Sequence, residues 1–229
     1  MCTVLVRWAR ARPTRILALR DELASRAFDD PGQWWPDLPD VVGGRDQVAG
    51  GTWCASNVSS GVTALVLNRP QKRMADAGAP SRGTLPLLAA THEHDWASHI
   101  DLAGMASFAL VLVTPARLTV WDFDGAELTA VEKSAGTHMV TSGGVEDGKA
   151  ERYLSAFEGA VDADEWRALI RRDAPSPDLT ELVVRRERDG LVYATVFGQL
   201  IESAAGHLKL QYSRTPWRED SWMSLTRST

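Results

Sequence analysis

The sequence predicts an α+β fold, a four-layer αββα sandwich of two largely antiparallel sheets between two layers of helices. Short β-forming segments open and close the chain, and helical patterns lie between them. The helices and strands do not alternate regularly, which argues against a parallel sheet built from β–α–β units. Hydrophobic residues are spread evenly over the 229 residues, so we expect one domain spanning residues 1–229.

Strand patterns dominate the N-terminal third. Residues 2–8 and 15–20 are rich in β-forming and aliphatic side chains and predict a strand pair across a polar turn. Residues 29–40 hold three prolines, which predicts a packed loop instead of a regular element. Residues 52–56 and 62–67 predict two further strands.

Helices and strands share the rest of the chain. Residues 69–83 are polar and predict a mobile flap or a crossing loop. Helical patterns are found at residues 84–90, 96–106 and 149–158, and after a capping-box-like start at 162–165. Strand patterns are found at residues 108–114, 118–123, 128–133, 182–186, 191–197 and 208–213.

Composition and charge argue against three classes of protein: nucleic-acid-binding, membrane-spanning and disulfide-rich. The formal net charge is −5, so we expect no nucleic-acid partner. No apolar run approaches the roughly 20 residues of a membrane span, so none is expected. Two cysteines, Cys2 and Cys54, are too few for a disulfide framework, which predicts a reducing compartment and a cytoplasmic protein. Four arginines near the start are interpreted as part of a solvated turn: Arg7, Arg10, Arg12 and Arg15.

Cys2 is the first candidate catalytic residue. Once Met1 is removed, Cys2 carries a thiol and an α-amine, and an α-amine with a pKa of roughly 7.7 to 8.0 suits a general base at neutral pH. Nucleophile and base then belong to one residue. From position alone, an ordinary buried cysteine is the alternative.

A charged cluster ends the second predicted strand. Arg20 there could lower the pKa of the thiol, and Asp21 could accept a hydrogen bond from the α-amine. In a regular strand these side chains point to opposite faces, so both serve one site only if the strand ends or bulges. A solvated ion pair is the alternative.

Three candidate substrate-binding residues lie in or beside two glycine pairs, at residues 43–44 and 50–51. Paired glycines allow close approach of the backbone, and Trp53 beside them can be a core anchor or a pocket wall. We expect Arg45, Gly51 and Trp53 to bind substrate.

Several short motifs follow one another along the first 83 residues. They are Met1-Cys2-Thr3, Leu19-Arg20-Asp21-Glu22, Ser25-Arg26, Trp34-Trp35, Gly44-Arg45-Asp46, Gly50-Gly51-Thr52-Trp53 and Ser81-Arg82-Gly83. Together they resemble the NRDE domain family, also called the transport-and-Golgi-organisation-2 family. The resemblance implies an N-terminal-nucleophile (Ntn) hydrolase-like fold, similar to penicillin V acylase and bile-salt hydrolase, with Cys2 as nucleophile. It also implies a link to haem and lipid handling, which is described for animal members.

Two departures from the family pattern concern asparagines. Leu19 stands where the family signature has asparagine, and residues 141–144 hold no counterpart of a second one. A missing oxyanion donor costs roughly 3 to 4 kcal/mol of barrier. Asn68 is the remaining candidate donor, and a loop-capping role is its alternative.

A histidine-rich segment is weighed as a metal site. His92, His94 and His99 lie close together in sequence, but in a helix only the Asp95–His99 spacing shares a face. We therefore expect no metal and no resident cofactor.

Two functions are consistent with these residues. The first is an Ntn-type amidohydrolase acting on a non-peptide C–N bond of a small-molecule amide. In it Cys2 attacks, Arg20 and Asp21 orient and activate, and Asn68 supports the oxyanion. The alternative is a non-catalytic protein that binds or traffics a hydrophobic ligand, haem or a lipid, in the same cleft. The missing asparagines and the nine tryptophans favour that alternative.

Overall fold

The computed structural model describes residues 2–69, 75–144, 148–171 and 175–229. Over these residues the chain forms two antiparallel sheets with helices on the outer face of each, in the order helix, sheet, sheet, helix. The predicted fold class, a four-layer αββα sandwich, is confirmed.

The strands are named in chain order. They are β1 (Thr3–Trp8), β2 (Thr14–Leu23), β3 (Val41–Gly43), β4 (Cys54–Asn57), β5 (Val62–Asn68), β6 (Phe108–Val113), β7 (Leu118–Phe123), β8 (Leu128–Lys133), β9 (Gly136–Thr141), β10 (Arg185–Arg188), β11 (Leu191–Ala204), β12 (His207–Ser213) and β13 (Met223–Ser228). The α-helices are α1 (Leu85–His92), α2 (Lys149–Gly159) and α3 (Ala163–Arg171).

The first sheet joins the two ends of the chain. Its strand order is β13-β12-β11-β2-β1-β9, and β10 pairs with β11. The second sheet is a meander in the order β3-β4-β5-β6-β7-β8. Because β1 pairs with β2 on one side and with the edge strand β9 on the other, the residue just before β1 lies one strand in from the edge of the first sheet.

Alternation along β1 and β2 builds two separate cores. Val4 and Ile16 face the second sheet and pack in one cluster with Leu65 of β5. Leu5 and Leu17 face the opposite way, into the cluster formed with α2 and α3. Successive side chains of a strand point to opposite faces, so this register decides which residues can reach the space between the sheets.

The predicted helix at residues 96–106 is wrong. A 3-10 helix occupies Glu93–His99, and the chain then turns without helical structure. The Asp101 carboxylate accepts a hydrogen bond from the Ala103 backbone N–H at 2.9 Å, and Gly104 has a φ of +75°. These local turn features interrupt an α-helix.

Other boundaries differ modestly from the predictions. Strands β3, β9 and β13 were not predicted, and β11 is longer than expected. The predicted flap at 69–83 includes residues 70–74, which lie outside the described residues. Its end forms a 3-10 helix at Arg82–Thr84.

Candidate active site

Cys2 lies at the start of β1, on the face directed at the second sheet. Its side chain is half-buried and packs against the core between the sheets. The thiol donates a hydrogen bond to the Asp21 carbonyl oxygen over 3.6 Å. The Cys2 carbonyl accepts a hydrogen bond from the Ser142 backbone N–H at 3.0 Å. Neighbouring strands thus fix the residue from both sides.

The surroundings of the thiol favour its neutral form. Burial raises the pKa of Cys2, and the negative charge of Asp21 raises it further. The positive charge of Arg20 opposes both effects without reversing them. A thiol in this state is a weak nucleophile until a base takes its proton.

Arg20 and Asp21 point to opposite faces of β2. The strand continues to Leu23, and the irregularity in register occurs in β11, between Thr195 and Phe197. Only Arg20 therefore directs its side chain to the face that carries Cys2. Asp21 contacts the thiol through its backbone carbonyl.

Arg20 is buried between aromatic rings and carboxylates. Its Cζ lies 4.4 Å from the Trp53 ring centroid and 5.1 Å from that of Phe28. Its Nη2 lies 3.5 Å from Asp46 Oδ2 and 3.6 Å from Glu22 Oε2. The buried Nη1 has no hydrogen-bond partner among the described residues. Burial lowers the pKa of Arg20, and the nearby acidic groups oppose that shift.

Asp21 belongs to a buried polar cluster behind β1 and β2. Its Oδ1 accepts a hydrogen bond from the Thr195 hydroxyl at 2.6 Å. Its Oδ2 lies 3.9 Å from Nζ of Lys149, the first residue of α2. That ammonium also donates to the Thr3 hydroxyl at 3.1 Å. The Tyr193 hydroxyl donates to the Asp21 carbonyl at 3.0 Å, so Asp21 connects the cluster to Cys2.

A small cleft opens beside Cys2. Its volume is about 150 Å³, and both sheets contribute to its walls. Cys2, Arg20, Asp21 and Asn68, the four predicted catalytic residues, all line it. Asn68 is the exposed last residue of β5. The remaining lining residues are Glu22, Arg26, Asp46, Ala49, Thr52, Trp53, Val66, Ser81, Arg82 and Gly83.

The predicted substrate-binding residues lie in different places. Trp53 lines the cleft, but Arg45 and Gly51 are not among its lining residues. Arg45 pairs with Asp29 at 2.8 Å and stacks on Trp34. Substrate binding by these residues stays a prediction.

Gly51 brings the 3-10 helix at Arg82–Thr84 against the second sheet. A Cβ at Gly51 would overlap the carbonyl group of Gly83. The Gly83 oxygen also accepts a hydrogen bond from the Thr52 backbone N–H at 2.8 Å. The glycine therefore lets Arg82 reach the cleft wall.

Leu19 and residues 141–144 mark the two departures from the family pattern. Leu19 is buried in the core shared with α2 and α3, so the departure there places an apolar residue on the face opposite to Cys2. Thr141, by contrast, ends β9 beside β1, and the next residue donates to the Cys2 carbonyl. Of the two departures, the one at 141–144 is therefore the one adjacent to Cys2.

Sequence reasoning missed several charged residues of the cleft. Arg26, Asp46 and Arg82 stand inside the recognised motifs and line the cleft, whereas Arg45, the neighbour of Asp46, does not. Asp46 binds Arg26 with two hydrogen bonds, of 2.6 and 3.2 Å. Burial opposes ionisation of Asp46, but the Arg26 hydrogen bond keeps its pKa below the ordinary value. No local pattern marks Lys149.

The histidine-rich segment lies away from this cleft. The rings of His92 and His99 stack with centroids 3.6 Å apart, and His99 Nε2 lies 3.4 Å from the Asp95 carboxylate. Within the described part of the chain, no group of three or more metal-binding side chains is found. No helix in that part is long and apolar enough to cross a membrane.

A family model described as Transport and Golgi organisation 2 matches residues 1–192. The chain belongs to this family. The resemblance carried by the motifs around Cys2 and Arg20 is thereby confirmed for most of the chain. No curated protein matches the sequence.

Solved structures place this member of the Transport and Golgi organisation 2 family among Ntn-hydrolase-like folds. One similar structure is the Caenorhabditis elegans N-acylethanolamine-hydrolyzing acid amidase ortholog, with a TM-score of 0.55 and 10% sequence identity. The match covers 96% of this chain and 95% of that chain. At this identity the likeness concerns the fold alone.

Proposed function

We propose that this protein is an Ntn-type amidohydrolase that uses Cys2, after removal of Met1, as its nucleophile on a small-molecule amide. One observation carries the proposal. The Cys2 thiol lines a cleft, and it hydrogen-bonds to a backbone carbonyl that cannot take its proton, while burial and the Asp21 charge raise its pKa. Activation therefore requires a base, and a free α-amine on Cys2 is the nearest available one.

The reaction proceeds in two halves. The α-amine takes the thiol proton, and Sγ bonds to the amide carbon while the carbonyl oxygen becomes an oxyanion. The oxyanion collapses, the C–N bond breaks, and the α-ammonium returns the proton to the leaving amine. Water then attacks the thioester, with the α-amine again as base, and releases the carboxylic acid and the thiol.

The neighbouring residues support these steps in different ways. Arg20 faces Cys2 and favours the thiolate that forms during attack. Asn68 lines the same cleft and is the proposed side-chain donor to the oxyanion. Asp21 acts as a positioning residue, since its carbonyl accepts the thiol hydrogen bond and its carboxylate lies in the buried cluster.

The test begins with the N-terminus. Intact-mass measurement of the purified protein should show that Met1 is absent. Incubation with a panel of small amides should then release amine, and rapid quenching should trap an acyl group on the peptide that contains Cys2. Retention of Met1 in the purified protein would contradict the proposal.

Matched cysteine variants complete this test. Cys2→Ala should abolish turnover and Cys2→Ser should retain little, because a hydroxyl is the weaker nucleophile. Cys54→Ala is the control, since Cys54 is buried in the core and does not line the cleft. Equal activity of Cys2→Ala and the unmodified protein would reject Cys2 as nucleophile.

Binding or trafficking of haem or a lipid stays a prediction. The cleft beside Cys2 is about 150 Å³ and is lined by arginines and carboxylates, whereas sites for larger apolar ligands are roomier and mostly apolar. The charged lining therefore favours the hydrolase. An absorbance titration with haem tests the alternative, and a saturable spectral shift would support it.

A further inference from the structure

The charges that line the cleft do not balance. Three guanidinium groups, those of Arg20, Arg26 and Arg82, face the carboxylates of Glu22 and Asp46. The Asp21 carboxylate is directed to the other side of β2, where Lys149 lies near it. The cleft beside Cys2 therefore holds an excess of one positive charge.

That excess resides on Arg82. Arg26 is held by Asp46 in a two-bond ion pair, and Arg20 lies within 3.6 Å of Glu22. Arg82 Nη1 donates to the Ser107 carbonyl at 2.8 Å. Among the described residues no carboxylate forms an ion pair with this guanidinium, and the more distant charge of Glu22 only opposes the lowering of its pKa by burial. The Arg82 side chain is half-buried. A half-buried arginine that lacks an anionic partner is suited to bind one from solution.

Arg20 supplies a second positive charge beside Cys2. Arg20 is only 5% exposed, and its Nη1 has no hydrogen-bond partner among the described residues. The Trp53 ring covers the guanidinium plane, which fixes its direction. Because this nitrogen is buried, Arg20 acts on an anion in the cleft through its charge and not through a direct hydrogen bond from Nη1.

From this geometry we infer that the substrate is a small amide bearing one carboxylate, which Arg82 binds beside Cys2. The inference rests on the proposed hydrolase function and names its substrate class. The single excess charge matches a monoanion better than a dianionic phosphate. The volume of about 150 Å³ is below the 300 to 1,000 Å³ typical of sites for drug-sized ligands, which favours a compact substrate.

Binding is measured separately from turnover. Calorimetric titration of the Cys2→Ala protein uses succinamate, a primary amide with one carboxylate, and succinamide, its neutral counterpart. Succinamate should bind saturably and succinamide should not. Equal binding of the two compounds, absence of binding by both, or tighter binding of inorganic phosphate than of succinamate would overturn the inference.

Arginine variants locate the carboxylate. In the Cys2→Ala background, Arg82→Gln should weaken succinamate binding by about tenfold to a hundredfold, since hydrogen bonds to charged groups are worth roughly 1.5 to 3 kcal/mol. Arg12→Gln removes the same charge from an exposed turn and should change affinity little. Arg82→Met removes the charge, keeps the aliphatic part of the side chain and serves if Arg82→Gln does not fold. Unchanged affinity in the charge-removing variant that folds would reject the assignment.

Turnover assays separate the two proposals. The hydrolase proposal holds and the carboxylate inference fails if neutral amides are hydrolysed by a Cys2-dependent reaction that Arg82→Gln leaves unchanged. The carboxylate site at Arg82 holds and the hydrolase proposal fails if succinamate binds through Arg82 but no amide is hydrolysed.

Discussion

At the residue scale, a buried ion pair between Asp21 and Lys149 lies beneath the candidate site. Both side chains are fully buried, and the charged atoms lie 3.9 Å apart. Lys149→Met leaves the Asp21 carboxylate without this cation, and we expect a loss of about 3 to 5 kcal/mol in the free energy of unfolding. Asp21→Asn in the same chain should restore part of it. Urea unfolding of the two single variants and the double variant measures the coupling.

An exposed lysine provides the control for that cycle. Lys209 lies 3.5 Å from Glu202 at the surface, and its side chain is 49% exposed. Lys209→Met should therefore change stability by less than about 1 kcal/mol. A loss in Lys149→Met no larger than this, or strictly additive effects of Lys149→Met and Asp21→Asn, would show that the pair does not hold α2 to the first sheet.

The Cys2 thiol gives a pH-dependent prediction. Because folding raises the pKa of Cys2, the folded state favours the neutral thiol, and that stabilisation is lost as pH rises through the folded pKa. We expect Arg20→Gln to move the midpoint of Cys2 alkylation to higher pH, since the Arg20 charge lowers this pKa. Peptide-resolved mass spectrometry after iodoacetamide treatment measures the midpoint.

Cys54 is the internal reference for that measurement. Burial raises its pKa to about 12, so its thiol should stay unmodified in the folded protein over the same pH range. Both proteins are compared with the N-terminus in the same state. A midpoint unchanged by Arg20→Gln would mean that Arg20 does not influence the thiol.

At the element scale, Arg7 connects β1 to the end of helix α2. Its guanidinium donates to the carbonyls of Phe157 at 2.6 Å and Ala160 at 2.7 Å, which have no partner further along the helix. It also lies over the Trp166 ring, 5.3 Å from the centroid. Arg7→Ala should lower the free energy of unfolding by about 1.5 to 3 kcal/mol, measured by urea unfolding.

Arg10 distinguishes this contact from the general effect of charge. It lies in the exposed turn after β1, and Arg10→Ala should change stability by less than about 0.5 kcal/mol. Equal effects of Arg7→Ala and Arg10→Ala would contradict a capping role for Arg7. The clustered arginines were interpreted as a solvated turn, which describes Arg10 and Arg12 but not Arg7 or Arg15. Arg15 lies in β2 and pairs with Glu202 at 3.0 Å.

The elements differ in how well sequence predicts them. Strands β1 and β2 are predicted well because apolar residues alternate toward two cores, as Leu5 and Leu17 illustrate. Strand β9 is half-buried along most of its length and shows no such alternation, so only its pairing with β1 makes it a strand. Lys149 escaped prediction for a related reason, since its buried partner is 128 residues away.

At the scale of the whole molecule, the core between the sheets should make the protein unfold as one unit. Val6 of the first sheet and Val111 of the second belong to one buried cluster, so neither sheet can separate without exposing apolar surface. We expect the outer layers to unfold together, although Trp166 packs outside the first sheet and Trp96 outside the second. The prediction of one domain over residues 1–229 depends on this cooperativity.

Fluorine NMR tests this directly. The protein is labelled with 5-fluorotryptophan, and Trp166→Phe and Trp96→Phe variants assign the two resonances. Across a urea titration both native signals should disappear at one midpoint, which should match the loss of far-UV circular dichroism. Trp34, which is 37% exposed, provides a reference resonance for direct solvent effects. Separate midpoints for Trp166 and Trp96 would show that the two halves of the sandwich are independent units, because the shared core would then not couple them.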